Sequence, residues 1–269
     1  MRIVFKNERG TIRFGQEYTF RITDIDGLGL VARTRNMTNF SGVDGQYCLG
    51  EYTGARVITI SGDFIDDENF WEKKPIRIFH ADGVLSIGSR AINVVCSEFE
   101  VTKKGGGYKK FVLQFVADYP YFQDGVQKKA AVLSVNKLIK TKFRFPLIMS
   151  KRDCKTVIYN YGDTICEPII EITAVGESAG GVITIRNLSC GKKICIEYTM
   201  QKGEKITADI EKRTLVSSIN GSVLYALTDD SFLSDFMKDI GENEIVVTNE
   251  SGGEIAVNCR YRNRYAEAV

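Results

Sequence analysis

The chain has 269 residues, with 36 basic and 34 acidic side chains and a formal charge of +2. That length suits two domains that need no metal or disulfide, and the balanced charge argues against a dedicated DNA-binding protein. Residues 1–8 lack the apolar run of a secretory signal, and no apolar stretch approaches the ~20 residues of a membrane span. We therefore expect synthesis in the cytoplasm, no membrane insertion, and seven cysteines that are reduced and mostly buried.

Short runs rich in β-branched and aromatic residues predict antiparallel strands along the whole chain. In chain order the clearest are 56–62, 110–116, 182–185, 194–198, 244–248 and 255–259. Glycine-containing turns follow several of them, at 105–107, 189–192, 220–221 and 251–253. Asp24–Gly27 is also interpreted as a hairpin turn, because it lacks the remaining ligands of a calcium loop.

Helix signals are few. The best lies at 229–240, where Phe232, Leu233, Phe236, Met237 and Ile240 fall on one stripe at helical spacing. A second short helix is indicated at 66–74, with Pro75 ending it, and Ile76–Phe79 is interpreted as a strand that runs into a turn at His80. Because helices do not alternate with strands, the sequence predicts a mainly β fold and not a doubly wound sheet.

A domain boundary is predicted between residues 123 and 157. From 128 to 155 there are nine Lys or Arg residues and a single acidic residue, Asp153. We therefore expect an N-terminal domain at 1–125, a basic connector at 126–156 and a C-terminal domain at 157–269. The basic stretch is either a solvated connector or a surface for an acidic partner, with Lys137, Lys140, Lys142 and Arg144 as its candidate contacts.

Residue types that serve catalysis or metal binding are present without the spacing that such sites require. His80 is the sole histidine, so any triad would have to include it, and no Cys pair has the C-x-x-C spacing of a zinc site. Gly27-Leu28-Gly29 lacks the third glycine and the βαβ setting of a dinucleotide motif. We expect no catalytic residue, no metal and no cofactor, and hence a protein that is not an enzyme.

Aromatic residues in the C-terminal half are the candidate contacts. The closing run Arg260–Tyr265 alternates Arg with Tyr, which is typical of a strand with one aromatic face and suits a protein interface. Tyr225 and Tyr265 could equally hold a sugar. From the residues alone, an assembly protein and a carbohydrate-binding module both stay open.

Four places, in order along the chain, resemble the siphophage distal tail protein family. Residues 39–46 and 56–62 resemble its "G-x-D-G" loop and the "I-x-I-x-G" strand after it, and Asp118-Tyr119-Pro120-Tyr121-Phe122 is similar to the "D-P-Y-F" close of its N-terminal domain. Residues 160–163 and 167–172 resemble the start of its second domain, and later landmarks from 186 to 245 precede an Arg-Tyr-rich final strand. The match covers nearly the whole chain, with one Tyr inserted in "D-P-Y-F" and a shorter segment at 63–75.

The resemblance implies a structural virion protein at the tail tip. Such a protein forms a ring, usually of six copies, between the tail-tube protein above and the tail-tip protein below, and DNA only passes through its channel. The N-terminal domain, a β-sandwich or sheet with a short helix, would form the ring. The C-terminal domain would be a galectin-like β-sandwich that carries other baseplate or receptor-binding proteins. The alternative is a carbohydrate-binding β-sandwich module that mediates adhesion to the host surface.

Overall fold

A computed structural model describes residues 2–65, 75–103, 108–133, 154–176, 178–236, 238–250 and 253–268. The chain divides into two compact units. Unit 1 comprises Met1–Gly125 together with Arg264–Val269, and unit 2 comprises Val126–Asn263. The mainly β fold predicted from the sequence is confirmed.

Unit 1 is built on a sheet whose strands alternate inward apolar and outward residues. Its elements are β1 (Ile3–Asn7), β2 (Gly10–Phe14), β3 (Phe20–Asp26), β4 (Arg33–Thr38), β5 (Tyr47–Thr53), β6 (Arg56–Ile65), α1 (Pro75–Phe79), β7 (Gly83–Ile87), β8 (Arg90–Lys103), β9 (Tyr108–Ala117), β10 (Phe122–Asp124) and, from the end of the chain, β21 (Arg264–Tyr265). Nine strands of the described residues form one sheet in the order β21-β10-β8-β7-β1-β2-β3-β6-β9. The long strand β8 also pairs with β9. The strands β8-β7-β1-β2-β3-β6-β9 are therefore paired in a closed circuit.

Phenylalanine rings fill the interior of this circuit. Phe20 lies at the centre, with its ring centroid 5.1 Å from that of Phe111 and 6.0 Å from those of Phe64 and Phe79. Phe5 and Phe115 stack 5.0 Å apart in the same cluster. Burial of such large apolar rings is the main force that holds unit 1 together.

Unit 2 is a sandwich of two antiparallel sheets. Its strands are β11 (Lys128–Leu133), β12 (Cys154–Asn160), β13 (Ile169–Ala174), β14 (Ser178–Asn187), β15 (Lys192–Gln201), β16 (Lys205–Asp209), β17 (Thr214–Ser217), β18 (Gly221–Ser222), β19 (Gly241–Asn249) and β20 (Ile255–Tyr261). The larger sheet has the order β11-β20-β13-β16-β17-β18, and the smaller has the order β12-β19-β14-β15. Buried residues of both sheets, such as Ile172 and Val257 of the larger and Ile185 and Val247 of the smaller, share one core. The galectin-like character of this sandwich stays a prediction.

The helix predicted at 229–240 is wrong. In the described part of this segment (229–236 and 238–240) the helical element is a 3-10 turn at Leu233–Asp235, and Phe232 and Ile240 of the predicted inward stripe are exposed. The segment lies along the edge of β15, where the Ser231 hydroxyl accepts a hydrogen bond from the Cys195 N–H at 2.8 Å. The polar groups that could cap a helix are therefore used to bond the free edge of a strand.

Two shorter interpretations are also wrong. Ile76–Phe79 is helical and not a strand, because Pro75 begins α1 at the position where its missing N–H is harmless, and His80 follows that helix. Asp24–Asp26 belong to β3 and pair with β6, so the turn begins only at Gly27. The helix predicted at 66–74 lies outside the described residues.

The compact units differ in two places from the division at 1–125, 126–156 and 157–269. β11 and β12 pair into the two sheets of unit 2, with β20 and β19 respectively, so parts of the expected connector are strands. Arg264–Val269 belong to unit 1, because β21 pairs with β10.

Candidate assembly surfaces

The hairpin of β4 and β5 is the most exposed feature of unit 1. We call residues 33–53 the arm. Among the described residues its two strands pair only with each other, and Glu51 forms ion pairs across them with Arg33 (3.6 Å) and Arg35 (3.7 Å). A β-bulge between Asn36 and Met37 leaves Leu49 without a partner on the opposite strand. A two-stranded hairpin in water is marginally stable by itself.

Exposed apolar side chains run along the arm. Leu49 is 72% exposed, and Phe40 and Tyr47 pack against each other at 5.2 Å between ring centroids while both remain exposed. Met37, Val43 and Tyr52 add to this surface. Contiguous exposed apolar groups of this kind mark interaction sites. These two strands were not predicted from the sequence, because both of their faces are exposed and the alternation that reveals a half-buried strand is absent.

A groove on the same unit lies beside the base of the arm. It is lined by Val84, Val95 and Val116 from three neighbouring strands, by Tyr119, and by the acidic residues Asp82 and Asp118. Beyond Tyr119 a second hollow reaches Arg33 and Tyr52 of the arm. Unit 1 thus offers an apolar hairpin together with an apolar groove that Asp82 and Asp118 help to line.

Tyr225, a candidate contact from the sequence, is 79% exposed in unit 2. It lies in a 3-10 turn (Leu224–Ala226) that follows β18 at the edge of the larger sheet. Val216, Ile219 and Leu224 of the same stretch are also exposed. The edge of the sandwich therefore presents an apolar patch around one tyrosine, which we call the Tyr225 patch.

Tyr265, the other candidate, has a different setting. It lies in β21 of unit 1, where the Arg90 guanidinium stacks on its ring at 4.0 Å and its hydroxyl bonds the Asp124 carboxylate at 3.0 Å. The structure does not bring it together with Tyr225 in one unit. The basic contacts Lys137, Lys140, Lys142 and Arg144 lie outside the described residues and stay predictions.

The described residues offer little for other chemistry. No cluster of three His, Cys, Asp or Glu side chains within them is placed to hold a metal ion. No helix within them is long and apolar enough to span a membrane. Cys48 is an exposed thiol on the arm, whereas Cys166 and Cys259 are buried in unit 2.

Comparison with known proteins identifies the C-terminal part of the chain. Residues 161–265 match the family model of the siphovirus-type tail component, C-terminal domain. This part of the chain is therefore similar to a siphovirus tail component domain. This match covers β13 to β20 of the sandwich as well as β21, and it includes Tyr225 and Tyr265. A comparison with curated proteins gives no match.

Solved structures extend the likeness to the whole chain. The crystal structure of the Dit protein (gp 19.1) of phage SPP1 matches with a TM-score of 0.68 at 14% identity, covering 91% of this chain and 93% of that chain. That protein is described as a paradigm of the hub adsorption apparatus in phages that infect Gram-positive bacteria. Two baseplate structures of phage P2 in the activated conformation, with Ca and with Sr, match at 10% identity over 96% of this chain and 97% of theirs, with TM-scores of 0.49 and 0.46. The resemblance to the distal tail protein family is thereby confirmed, with both units sharing the fold of the SPP1 protein.

Proposed function

We propose that this protein is the distal tail hub of a siphophage: a ring that joins the tail tube to the tail tip and the adsorption apparatus. The tail component domain and the fold shared with SPP1 Dit support this assignment. The observation that carries it is the arm, an apolar hairpin whose two strands pair only with each other among the described residues, on the same unit as an apolar groove.

A second copy of this chain is the partner that the arm fits best. The leucine and aromatic side chains of the arm suit the valine side chains that line the groove. One surface of each copy then meets a different surface of the next, which is a heterologous contact, and such contacts form a ring when the rotation between successive copies closes. The resemblance sets the expected number at six. In this ring DNA is only a passenger in the channel, and the protein is a virion component made in the host cytoplasm.

Replacing Phe40 and Leu49 by serine tests the arm as the contact. Full burial of a large apolar side chain stabilises by about 1.5–3 kcal/mol, and these residues are 54% and 72% exposed before assembly. The double variant should lose about 3 kcal/mol per contact, which is roughly a 100-fold weaker association. Leu188→Ser, at an exposed turn of unit 2, is the matched control.

Mass photometry over a concentration series, with negative-stain microscopy, gives the readout. Wild type and Leu188→Ser should form closed rings whose mass is a multiple of the 30.1 kDa chain. The arm variant should remain monomeric at the same concentrations. A wild-type protein that stays monomeric at high micromolar concentration would overturn the ring, and an arm variant that assembles as wild type does would overturn the arm as its contact.

The Tyr225 patch is the proposed contact of unit 2 for other tail proteins. A tail-tip or receptor-binding protein would cover Tyr225 and its apolar neighbours, as tyrosine-centred patches do at interfaces. Co-assembly with proteins encoded beside this chain should weaken on Tyr225→Ser and persist on Tyr265→Phe. Equal co-assembly of the two variants would reject the patch.

Carbohydrate binding is the second candidate function, and the high exposure of the Tyr225 ring favours it. An exposed aromatic face on a sandwich edge can stack on the apolar face of a sugar. A glycan array should then give a signal that Tyr225→Ala abolishes and Tyr265→Phe retains. An array without any signal would remove this function and leave the hub unaffected.

A further inference from the structure

Arg56 is a buried cation at the point where the arm rejoins the sheet. It is 2% exposed and opens β6, three residues after the arm ends. Its Nε donates to the Pro120 carbonyl at 2.6 Å, and its Nη1 donates to the carbonyls of Gly27 (2.6 Å) and Gly29 (2.7 Å). The guanidinium also stacks at 4.7 Å on the ring of Phe122. A guanidinium that is buried so completely must have its N–H groups hydrogen-bonded, and here backbone carbonyl oxygens accept those hydrogen bonds.

The loop that leads into the arm is held at three consecutive carbonyls. Arg56 takes those of Gly27 and Gly29, and the Ala268 N–H donates to the one between them, Leu28, at 3.0 Å. Gly27 has a φ of +85°, and a Cβ there would lie 2.0 Å from the Val57 carbonyl oxygen. The loop is thus pressed against β6 in a conformation that only glycine allows at this position.

The chain returns to this loop after completing unit 2. We call Arg264–Ala268 the return segment. The Ala266 carbonyl accepts a hydrogen bond from Arg56 Nη2, and the Glu267 carbonyl accepts one from Arg90 Nη1 at 2.7 Å. Ala268 is 3% exposed and packs in the phenylalanine core of unit 1. Arg56 therefore connects both ends of the arm to a segment 210 residues further along the chain.

We infer that Arg56 and the return segment form a clamp that positions the arm for assembly. Without the return segment, the Leu28 carbonyl and one side of the guanidinium lose their partners, and the loop before the arm loosens. Because residues 264–268 follow all of unit 2 in the chain, the clamp closes only after unit 2 has been synthesised. The arm is thereby withheld from assembly in shorter chains. This inference rests on the proposed function in one respect, that the arm is the assembly contact.

Four variants test the clamp. The first deletes residues 264–269, and the second, Ala268→Pro, keeps the segment but removes the N–H that bonds Leu28. The third is Arg56→Met, and Arg262→Met, at an exposed arginine outside the clamp, is its matched control. Hydrogen exchange is followed by mass spectrometry on peptides that cover residues 27–56, at a dilution where every variant is monomeric.

The clamp predicts faster exchange in residues 27–38 for the deletion, for Ala268→Pro and for Arg56→Met, by about tenfold, while the exchange of unit 2 is unchanged. A synthetic peptide of residues 260–269, but not a scrambled one, should restore slow exchange in the deletion variant. Wild-type exchange in the folded deletion variant would overturn the clamp, and if the deletion fails to fold, wild-type exchange in Ala268→Pro would do so.

Ring assembly is scored separately by mass photometry. A wild type without rings would refute the proposed function, while the exchange data on monomers would still decide the clamp. A variant with a loosened loop and normal rings would show that the clamp exists and does not control assembly, which would overturn its stated role.

Discussion

Exchanging Glu204 for glutamine perturbs a buried polar network at one end of unit 2. Glu204 lies just before β16 and is 1% exposed. Its carboxylate accepts hydrogen bonds from the Tyr198 hydroxyl at 2.8 Å, the Gln201 N–H at 2.8 Å and the Ser217 hydroxyl. Asn220 joins the network through the Tyr198 hydroxyl, so one carboxylate connects β15, β17 and two turns.

The expected loss in the free energy of unfolding follows from the three hydrogen-bond donors that the Glu204 carboxylate satisfies. Glutamine keeps one acceptor oxygen but replaces the other with an N–H₂ group. A donor then faces a donor at the position where the carboxylate oxygen accepted a hydrogen bond. Hydrogen bonds to a charged group contribute about 1.5–3 kcal/mol each, compared with about 1 kcal/mol for neutral pairs. The variant loses one hydrogen bond, and its other two hydrogen bonds go to a neutral acceptor in place of a charged one. Together these losses should destabilise unit 2 by about 2–4 kcal/mol. Glu242→Gln, at an exposed position of β19, is the control and should change little.

The pKa of Glu204 determines how the stability difference between wild type and Glu204→Gln changes with pH. Burial alone would raise the pKa of Glu204, but the hydrogen bonds from Ser217, Gln201 and Tyr198 outweigh burial and hold that pKa below its usual value. A carboxyl whose pKa is depressed in the folded state stabilises the fold fully above its unfolded pKa of about 4.3 and loses that contribution as the pH falls. The stability gap between wild type and Glu204→Gln should therefore be constant near neutrality and shrink in acid.

Urea unfolding followed by far-UV circular dichroism, at a series of pH values, measures this gap. A midpoint shift at neutral pH that exceeds that of Glu242→Gln, together with a gap that narrows in acid, is the expected result. Equal stability of wild type and Glu204→Gln at neutral pH, or a gap that widens in acid, would refute the reasoning.

Three further predictions concern unit 1 and the cysteines. Gly62→Ala would place a Cβ 1.9 Å from the Arg21 carbonyl oxygen and should destabilise unit 1 by about 3 kcal/mol or more, whereas Gly50→Ala, in open space, should have little effect on the same thermal unfolding curves. Phe20→Ala should cost about 3–5 kcal/mol in denaturant titrations because its ring sits among the other phenylalanines, and a cost equal to that of exposed Phe40→Ala would contradict the packing. Burial raises the pKa of Cys259 to about 12, so a thiol reagent at mildly alkaline pH should label exposed Cys48 and spare Cys259 until unfolding, as read by mass spectrometry; equal labelling rates would contradict the buried thiol.

Local alternation explains why much of the fold could be predicted from sequence. In β6 the residues Ile58 and Ile60 face the core and Thr59 faces outward, and this pattern of period two is visible in the sequence. The segment 229–240 failed for the opposite reason. Its apolar spacing fits a helix, but Ser231 bonds the edge of β15, a partner that lies 36 residues away and leaves no local signal.

Some residues of the candidate surfaces could be predicted from the local sequence, and others could not. Tyr225 could be singled out as an aromatic residue near a turn, and it is exposed. Tyr265 looked equivalent, yet Arg90 covers its ring, and nothing in the local sequence indicates that pairing. Arg56 was visible only as the first residue of a strand, because its role depends on carbonyls from Gly27 to Ala266 that come together only in the folded chain.

Unit 1 consists of two separate stretches of the chain, and the clamp depends on the second stretch. β10 and β21 are antiparallel neighbours, with Gln123 opposite Arg264, so the chain leaves unit 1 and returns to it at adjacent strands of one sheet. Neighbouring strands lie about 5 Å apart, so any domain whose two ends are that close can occupy the position of unit 2 without straining unit 1. Unit 2 can then differ in size and contacts while unit 1 keeps its sheet, its arm and its clamp. The same arrangement requires that the inserted domain fold far enough to return the chain, which makes a correctly folded unit 2 a condition for a correctly set arm.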